Sequence, residues 1–146
     1  MIAVVQRVYE ASVKVDGDIK GCIGNGLLVF FCVEDGDTDD KIIYMSEKIL
    51  NLRIFEDDNG KMSKSLQDIN GDMLIISQFT LAGDCSKGRR PDFTGAAKPD
   101  IAKALYNKFI DDVSSKINGN TACGIFGADM KVSLINDGPV TMIIKR

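Results

Sequence analysis

The sequence predicts an α/β fold in a single compact domain over residues 1–146, on three observations. The chain has 146 residues, 45% hydrophobic and 27% charged, the size and balance of one ordinary globular core. The runs Leu27 to Val33 and Met73 to Ile76 are apolar at consecutive positions, the pattern of strands buried on both faces. Two other stretches, Ile42 to Leu52 and Ile101 to Ile117, space their apolar residues three or four apart and so predict two amphipathic helices.

Taken in order, Ile2 to Val8 and Ala11 to Val15 are rich in β-branched residues, and Asp16-Gly17-Asp18 is a hairpin signal leading into a strand from Ile19 to Ile23. Gly24-Asn25-Gly26 makes a second turn before the central strand Leu27 to Val33. The acidic cluster Glu34 to Asp40 precedes the first helix, whose positive end favours carboxylates. Asp35, Asp37 and Asp39 have the spacing of a calcium loop, but Asp40 stands where such a loop needs glycine and Ser46 where it needs a bidentate Glu. Helix capping is therefore the reading retained. Arg53 to Glu56 reads as a short strand and Asp57 to Gly60 as its turn. Lys61-Met62-Ser63-Lys64-Ser65 spells the ATP-phosphate loop of class I aminoacyl-tRNA synthetases. That resemblance stops at this loop: the companion signature needs histidines the chain lacks, and 146 residues cannot hold the nucleotide-binding domain. Solvated lysines are the reading here.

Candidate chemistry concentrates in Asp72 to Leu81. The run begins apolar and turns polar with no turn former between, so Ser77, Gln78, Phe79 and Thr80 are expected to ride on a rigid strand. Period-two geometry would put Ser77 and Phe79 on one face and Gln78 and Thr80 on the other. Strand-end hydroxyls satisfying neighbouring backbone groups are the alternative. Ala82 to Lys98 is a long irregular stretch with a basic cluster, Lys87-Gly88-Arg89-Arg90, open to two readings: a clamp on the phosphates of a polynucleotide end, or a solvated loop. Pro99-Asp100 opens the second helix, with a stripe of Ile101, Leu105, Phe109, Val113 and Ile117, and Asn118-Gly119 closes it. Strands are expected at Thr121 to Phe126, Lys131 to Asn136 and Val140 to Lys145. The connection between the last two holds Gly138-Pro139, either a cis bond presenting two carbonyls together or a plain turn.

Composition narrows the chemistry. The chain has no histidine, which removes the usual neutral-pH base, the Ser/His/Asp and Cys/His triads and the commonest zinc ligand. Cys22, Cys32, Cys85 and Cys123 form no C-x-x-C pair and fit free thiols in a reducing compartment. A net charge of -3 argues against binding nucleic acid through the overall field. No signal-peptide pattern is present, and the longest apolar run is far below the roughly 20 residues of a membrane span. A soluble cytoplasmic protein with no membrane partner, no DNA partner, no metal and no cofactor is expected.

Ser77-Gln78-Phe79-Thr80-Leu81 together with Asn136-Asp137-Gly138-Pro139-Val140-Thr141 resembles the paired signature of the D-aminoacyl-tRNA deacylases, also called D-tyrosyl-tRNA(Tyr) deacylases. Val5-Gln6-Arg7-Val8, Ala11-Ser12-Val13, Gly26-Leu27-Leu28, Arg53-Ile54-Phe55, Gly60-Lys61-Met62, Lys87-Gly88-Arg89-Arg90-Pro91 and Gly124 through Val132 match in family order, so the likeness covers essentially the whole chain. The resemblance implies a mixed sheet curled into a barrel-like body beside two helices. It also implies a homodimer with sites at the subunit interface, acting on the aminoacylated 3′ end of tRNA to hydrolyse D-aminoacyl esters. Gly138 and Pro139 would be a chiral selector reaching into the other subunit's pocket, and Arg7 would brace it. Ser77, Gln78, Phe79 and Thr80 would line the ester with backbone amides as oxyanion donors, and Phe126 and Met130 would pack on the terminal adenine. Ser63-Lys64, Cys32 and Asp92 depart from common family choices. A noncatalytic RNA-end-binding module and a general esterase using Thr80 as nucleophile are the alternatives carried.

Overall fold

The computed structural model describes residues 1–146. Its elements run β1 (Ile2–Val15), β2 (Asp18–Ile23), β3 (Gly26–Cys32), α1 (Asp39–Leu50), β4 (Phe55–Glu56), β5 (Met62–Lys64), β6 (Asp72–Ser77), α2 (Pro99–Lys116), β7 (Thr121–Cys123) and β8 (Lys131–Lys145), with a 3-10 turn at Phe79–Ala82. The main sheet has the order β2-β1-β3-β6-β7, β8 pairs with β1 as well, and β4 and β5 form a separate hairpin. β1 carries β8 along its length, while its first half pairs with β3 and its second half with β2. Exchanging partners midway along one strand bends the sheet, and the result is a nearly closed barrel-like body beside two helices.

β3, β6 and β7 are parallel, with Gly26 opposite Asp72, Phe31 opposite Ser77, and Met73 to Ile75 opposite Thr121 to Cys123. Parallel neighbours need long crossovers, and α1 with the β4-β5 hairpin makes the first while α2 makes the second. The two apolar faces of these strands serve two cores. Leu27, Val29, Phe31, Met73 and Ile75 meet Ile42, Met45 and Ile49 of α1 and Leu105, Tyr106, Phe109 and Val113 of α2. Leu28, Leu74 and Ile76 join Val8, Ala11, Val13 and Ile23 in the second core. At the helix-sheet contact Phe31 stacks on Phe109 with centroids 4.0 Å apart.

Several expectations are corrected. Ile2 to Val15 is one strand, the irregularity near Tyr9 being absorbed as shifts of register against β8. Thr121 to Phe126 stops being strand at Cys123, and Met62–Lys64, read as a lysine loop, pairs as the second strand of a hairpin. Ile101 is 50% exposed, because residues four apart advance by about 40° per step around the helix and the stripe drifts off the core face, where Tyr106 takes its place. Lys131 to Asn136 and Val140 to Lys145 are one strand, β8, in which Asp137 to Val140 bulge out opposite the single residue Arg7.

The acidic cluster also differs from the capping expectation. Asp39 and Asp40 lie in the first turn of α1, but Thr38 at its N-cap makes no side-chain cap bond. Asp37 is buried instead, accepting hydrogen bonds from the Met1 ammonium at 2.9 Å, Lys41 Nζ at 2.7 Å and the Glu34 N–H at 2.7 Å. The same ammonium donates to Glu34 Oε2 at 3.0 Å and the Arg146 carbonyl at 2.7 Å, tying the ends of β1 and β8 to the start of α1. Burial pushes the Asp37 carboxyl up, but its bonds from Lys41 and the ammonium outweigh this and hold it below the usual carboxylate range. Replacing Asp37 by Asn is expected to cost about 1 to 2 kcal/mol in urea unfolding at neutral pH, since it removes one of the two carboxylates paired with the buried ammonium. A depressed carboxyl contributes stability above its unfolded pKa of about 3.9, and the advantage of wild type over Asp37→Asn should vanish as pH falls through the lowered native value. Unfolding curves of both proteins over that range check this.

Candidate functional site

Beyond the carboxyl ends of β6 and β7 the sheet opens into a cavity of about 660 Å³. Ends of parallel strands are where open α/β sheets present clefts, because the strands stop while the crossover chains still have to leave the layer. One wall is Ile76, Ser77, Gln78 and Phe79, leaving β6; another is Phe93 with Ala96 to Pro99 and Ala102, entering α2; the third is Phe126 to Met130 with Val132, between β7 and β8. The lining is chiefly apolar, with Lys98 and Asp129 as its charged members.

The expectation that Ser77 to Thr80 ride on a strand holds only for Ser77, which ends β6 opposite Phe31. The Gln78 N–H makes the last bond to β3, to the Phe31 carbonyl at 2.8 Å, and the chain then folds into the Phe79–Ala82 turn, closed by Leu81 N–H to the Gln78 carbonyl at 3.2 Å and Gly83 N–H to the Thr80 carbonyl at 3.0 Å. Beyond Phe31 the continuation of β3 is taken by another segment, the Ala97 N–H bonding the Val33 carbonyl at 3.1 Å, and local turn bonds take over in Phe79–Ala82. The alternation of faces therefore fails: Ser77, Gln78 and Phe79 all line the cavity, while Thr80 is exposed and lies outside its lining. Thr80 Oγ1 accepts a hydrogen bond from the Gln78 side-chain amide, a group that cannot take up a proton as a base. Phe79 and Thr80 open the turn, where backbone N–H groups have no carbonyl of the turn itself to donate to.

Phe126 and Met130 meet on the third wall. Phe126 leans on Tyr106 of α2, centroids 5.7 Å apart, and the buried Tyr106 hydroxyl donates to the Ile75 carbonyl at 2.9 Å. Burial pushes the Tyr106 hydroxyl well above its ordinary range, so it stays a donor. Met130 lies over Gly124, where a Cβ would collide with its sulfur. Beneath the Phe79 turn the buried thiol of Cys32 faces the Phe79 carbonyl at 3.6 Å, and burial raises it to about 11. Groups of three or more His, Cys, Asp or Glu side chains able to hold a metal ion are not formed.

Arg7, Gly138 and Pro139 gather elsewhere. Gly138-Pro139 is cis and both residues are exposed at the tip of the bulge in β8, outside the cavity formed by their own chain. Arg7 is buried beneath them, with Nε at 3.2 Å from the Asp137 carbonyl and 3.0 Å from its carboxylate, and Nη1 donating to the Ile54 carbonyl at 2.6 Å. A Cβ on Gly138 would stand 2.7 Å from Arg7 Nη2, and its φ of +121° suits glycine alone. Asn136 Nδ2 bridges the Arg7 and Val140 carbonyls at 3.0 and 3.1 Å, closing the base of the bulge. The Lys61 to Ser65 loop is occupied internally, Lys64 pairing with Asp58 at 2.9 Å and Ser63 donating to Asp57 at 2.7 Å.

Sequence reasoning missed Phe93, the Ala96 to Pro99 wall and Tyr106. Phe93 was an isolated aromatic in an irregular stretch, and its seat depends on Gly83, where a Cβ would stand 2.8 Å from the ring. Tyr106 was legible only as one position beside an apolar stripe.

The sequence model of the D-Tyr-tRNA(Tyr) deacylase family matches residues 4–145. A D-aminoacyl-tRNA deacylase of Clostridium botulinum (strain 657 / Type Ba4) is 55% identical over 144 residues, covering 99% of this chain and 96% of that protein. One of Pelobacter propionicus is 54% identical over 146 residues, the whole of both chains. Among solved structures, a c-Myc DNA unwinding element binding protein superposes with a TM-score of 0.95 at 42% identity, covering 100% of this chain and 99% of that one. The fold is shared with a probable eukaryotic D-amino acid tRNA deacylase at a TM-score of 0.83 and 21% identity, over 98% of this chain and 97% of that one. With nearly all its length matched by the family model and by curated relatives more than half identical to it, the chain belongs to the D-Tyr-tRNA(Tyr) deacylase family.

Proposed function

We propose that this protein, working in the cytoplasm as a homodimer, hydrolyses the ester between a D-amino acid and the 3′-terminal ribose of tRNA. Water adds its oxygen to the acyl carbon, the ester bond breaks, and the ribose oxygen leaves with a proton, giving free D-amino acid and tRNA. The observation that carries this reading is the cavity where Ser77, Gln78, Phe79, Phe126 and Met130 meet in a chain of this family. The terminal adenine packs on Phe126 and Met130. This sets the ester against the Phe79 turn, whose free N–H groups stabilise the developing oxyanion.

Selection falls to Gly138 and Pro139 of a second subunit. They project from their own subunit and are missing from its cavity, while Tyr9, Ile135 and Ile143 leave large apolar surface exposed on β1 and β8. Fixed backbone reads configuration without reading the side chain: exchanging hydrogen and side chain at the α-carbon drives one of them into the selector. Arg7 holds the loop at the required height through its bonds to Asp137.

With no histidine and only an amide beside Thr80, the protein supplies orientation and oxyanion stabilisation, and the ribose 2′-OH of the substrate positions the attacking water. Purified protein with a chelator present should deacylate D-tyrosyl-tRNA and spare L-tyrosyl-tRNA. Binding of tRNA without turnover would instead select the RNA-end-binding module, and rapid cleavage of small activated esters the general esterase. Thr80→Ala should keep kcat within about threefold of wild type, whereas loss of about a hundredfold or more with an intact fold, or a trapped acyl-Thr80, would make Thr80 the nucleophile.

A further inference from the structure

Between the Phe79 turn and α2 the chain throws out an arm, Asp84 to Asp92. Its base is closed by two backbone bonds, Asp84 N–H to the Asp92 carbonyl at 2.7 Å and Asp92 N–H to the Asp84 carbonyl at 3.0 Å. The two carboxylates at that base are turned to the arm's own backbone: Asp84 Oδ1 accepts the Ser86 N–H at 2.8 Å and Asp92 Oδ1 the Thr94 N–H at 2.9 Å. Lys87, Arg89 and Arg90 occupy the tip, all exposed, and none of them takes part in an ion pair. In a chain of net charge -3, three free cations within four residues make a local exception to the overall field.

The arm is fixed to the cavity wall. Phe93, directly after it, sets its ring edge against Phe79 with centroids 5.4 Å apart, and both rings line the cavity. Three residues of chain span at most about 11 Å, so Arg90 stands within that distance of Phe93, backbone to backbone. Arg90, the cation nearest Phe93 along the chain, therefore stands close to the rim of the cavity.

We infer that this arm is a phosphodiester clamp for the acceptor arm of tRNA, with Lys87, Arg89 and Arg90 gripping backbone phosphates upstream of the terminal adenosine. The inference rests on the reading of the cavity as the seat of the aminoacylated 3′ end. It assigns the arm to affinity and register, since phosphate contacts position a nucleic acid without reading its sequence.

The test compares wild type with Lys87→Ala/Arg89→Ala/Arg90→Ala in binding uncharged tRNA over about 50 to 300 mM KCl, alongside duplex DNA of similar charge. Each neutralised phosphate contributes roughly 0.7 to 0.9 to the slope of log affinity against log salt, so the variant should bind tRNA about 10- to 100-fold more weakly with a slope shallower by about 2 to 3. Its KM for D-tyrosyl-tRNA should rise with kcat unchanged. Unchanged tRNA affinity and slope would overturn the clamp. So would duplex DNA that binds as tightly as tRNA and loses as much in the variant, because the arm would then be a general polyanion patch. Should wild type leave D-tyrosyl-tRNA intact, the catalytic reading fails, while the tRNA-binding comparison still decides the clamp.

Discussion

The parallel ladder between β3 and β6 is the constraint on which the site depends. From Gly26 opposite Asp72 to Phe31 opposite Ser77 it carries β6, and the Gln78 N–H bond to Phe31 is its last, because the Val33 carbonyl further along is taken by the Ala97 N–H. A Cβ at Gly26 would lie on the Asp72 carbonyl, so the first rung already requires glycine. Past the last rung the chain has only its own carbonyls to bond. It folds into the turn that places Ser77, Gln78 and Phe79 around one cavity and leaves Thr80 outside. Parallel pairing also forces the two helical crossovers, and the second returns the chain as the wall that faces the turn.

Much of the fold was legible because two-sided burial leaves a strong trace. Leu27 to Phe31 and Met73 to Ile76 are apolar at every position since each strand feeds one core toward the helices and another on its opposite face. The turns at Asp16-Gly17 and Gly60 were equally plain, each requiring positive φ. What could not be read was where pairing ends. Ser77 to Leu81 contains no glycine or proline, and its turn follows from Ala97 taking the Val33 carbonyl beyond Phe31, a fact held by another segment of the chain. The joining of the last two strands into β8 is of the same kind: Asn136 and Thr141 pair with Val8 and Gln6 of a single strand, so a segment that looks like a connection is a bulge. Asp37 misled for a third reason, since its partner is the chain's own amino group.

The candidate site was legible by kind of residue more than by placement. The two signature segments are far apart on the same chain: Ser77 to Phe79 line a cavity, whereas Gly138 and Pro139 stand clear of it on a loop braced from below by Arg7. That separation, awkward for a site built from one chain, is what a site shared between two copies requires. It also accords with the chemistry. A chain without histidine has little to offer as a base, and on the proposed reading its assets would be rigid main-chain groups, N–H at the Phe79 turn and C=O at the β8 bulge, which could not rotate away to accommodate the wrong configuration.

The most direct test of this account is complementation between subunits. One variant, Gly138→Ala, damages the bulge, where the added Cβ meets Arg7; another, Gln78→Ala/Phe79→Ala, damages the cavity wall. Each alone should be inactive on D-tyrosyl-tRNA. Unfolded together and refolded at equal amounts, half the dimers would be mixed and each mixed dimer would own one intact site, so about a quarter of wild-type activity should return. A mixture that stays as inactive as its parents, although mixed dimers form, would place both segments' work within one subunit and contradict the account.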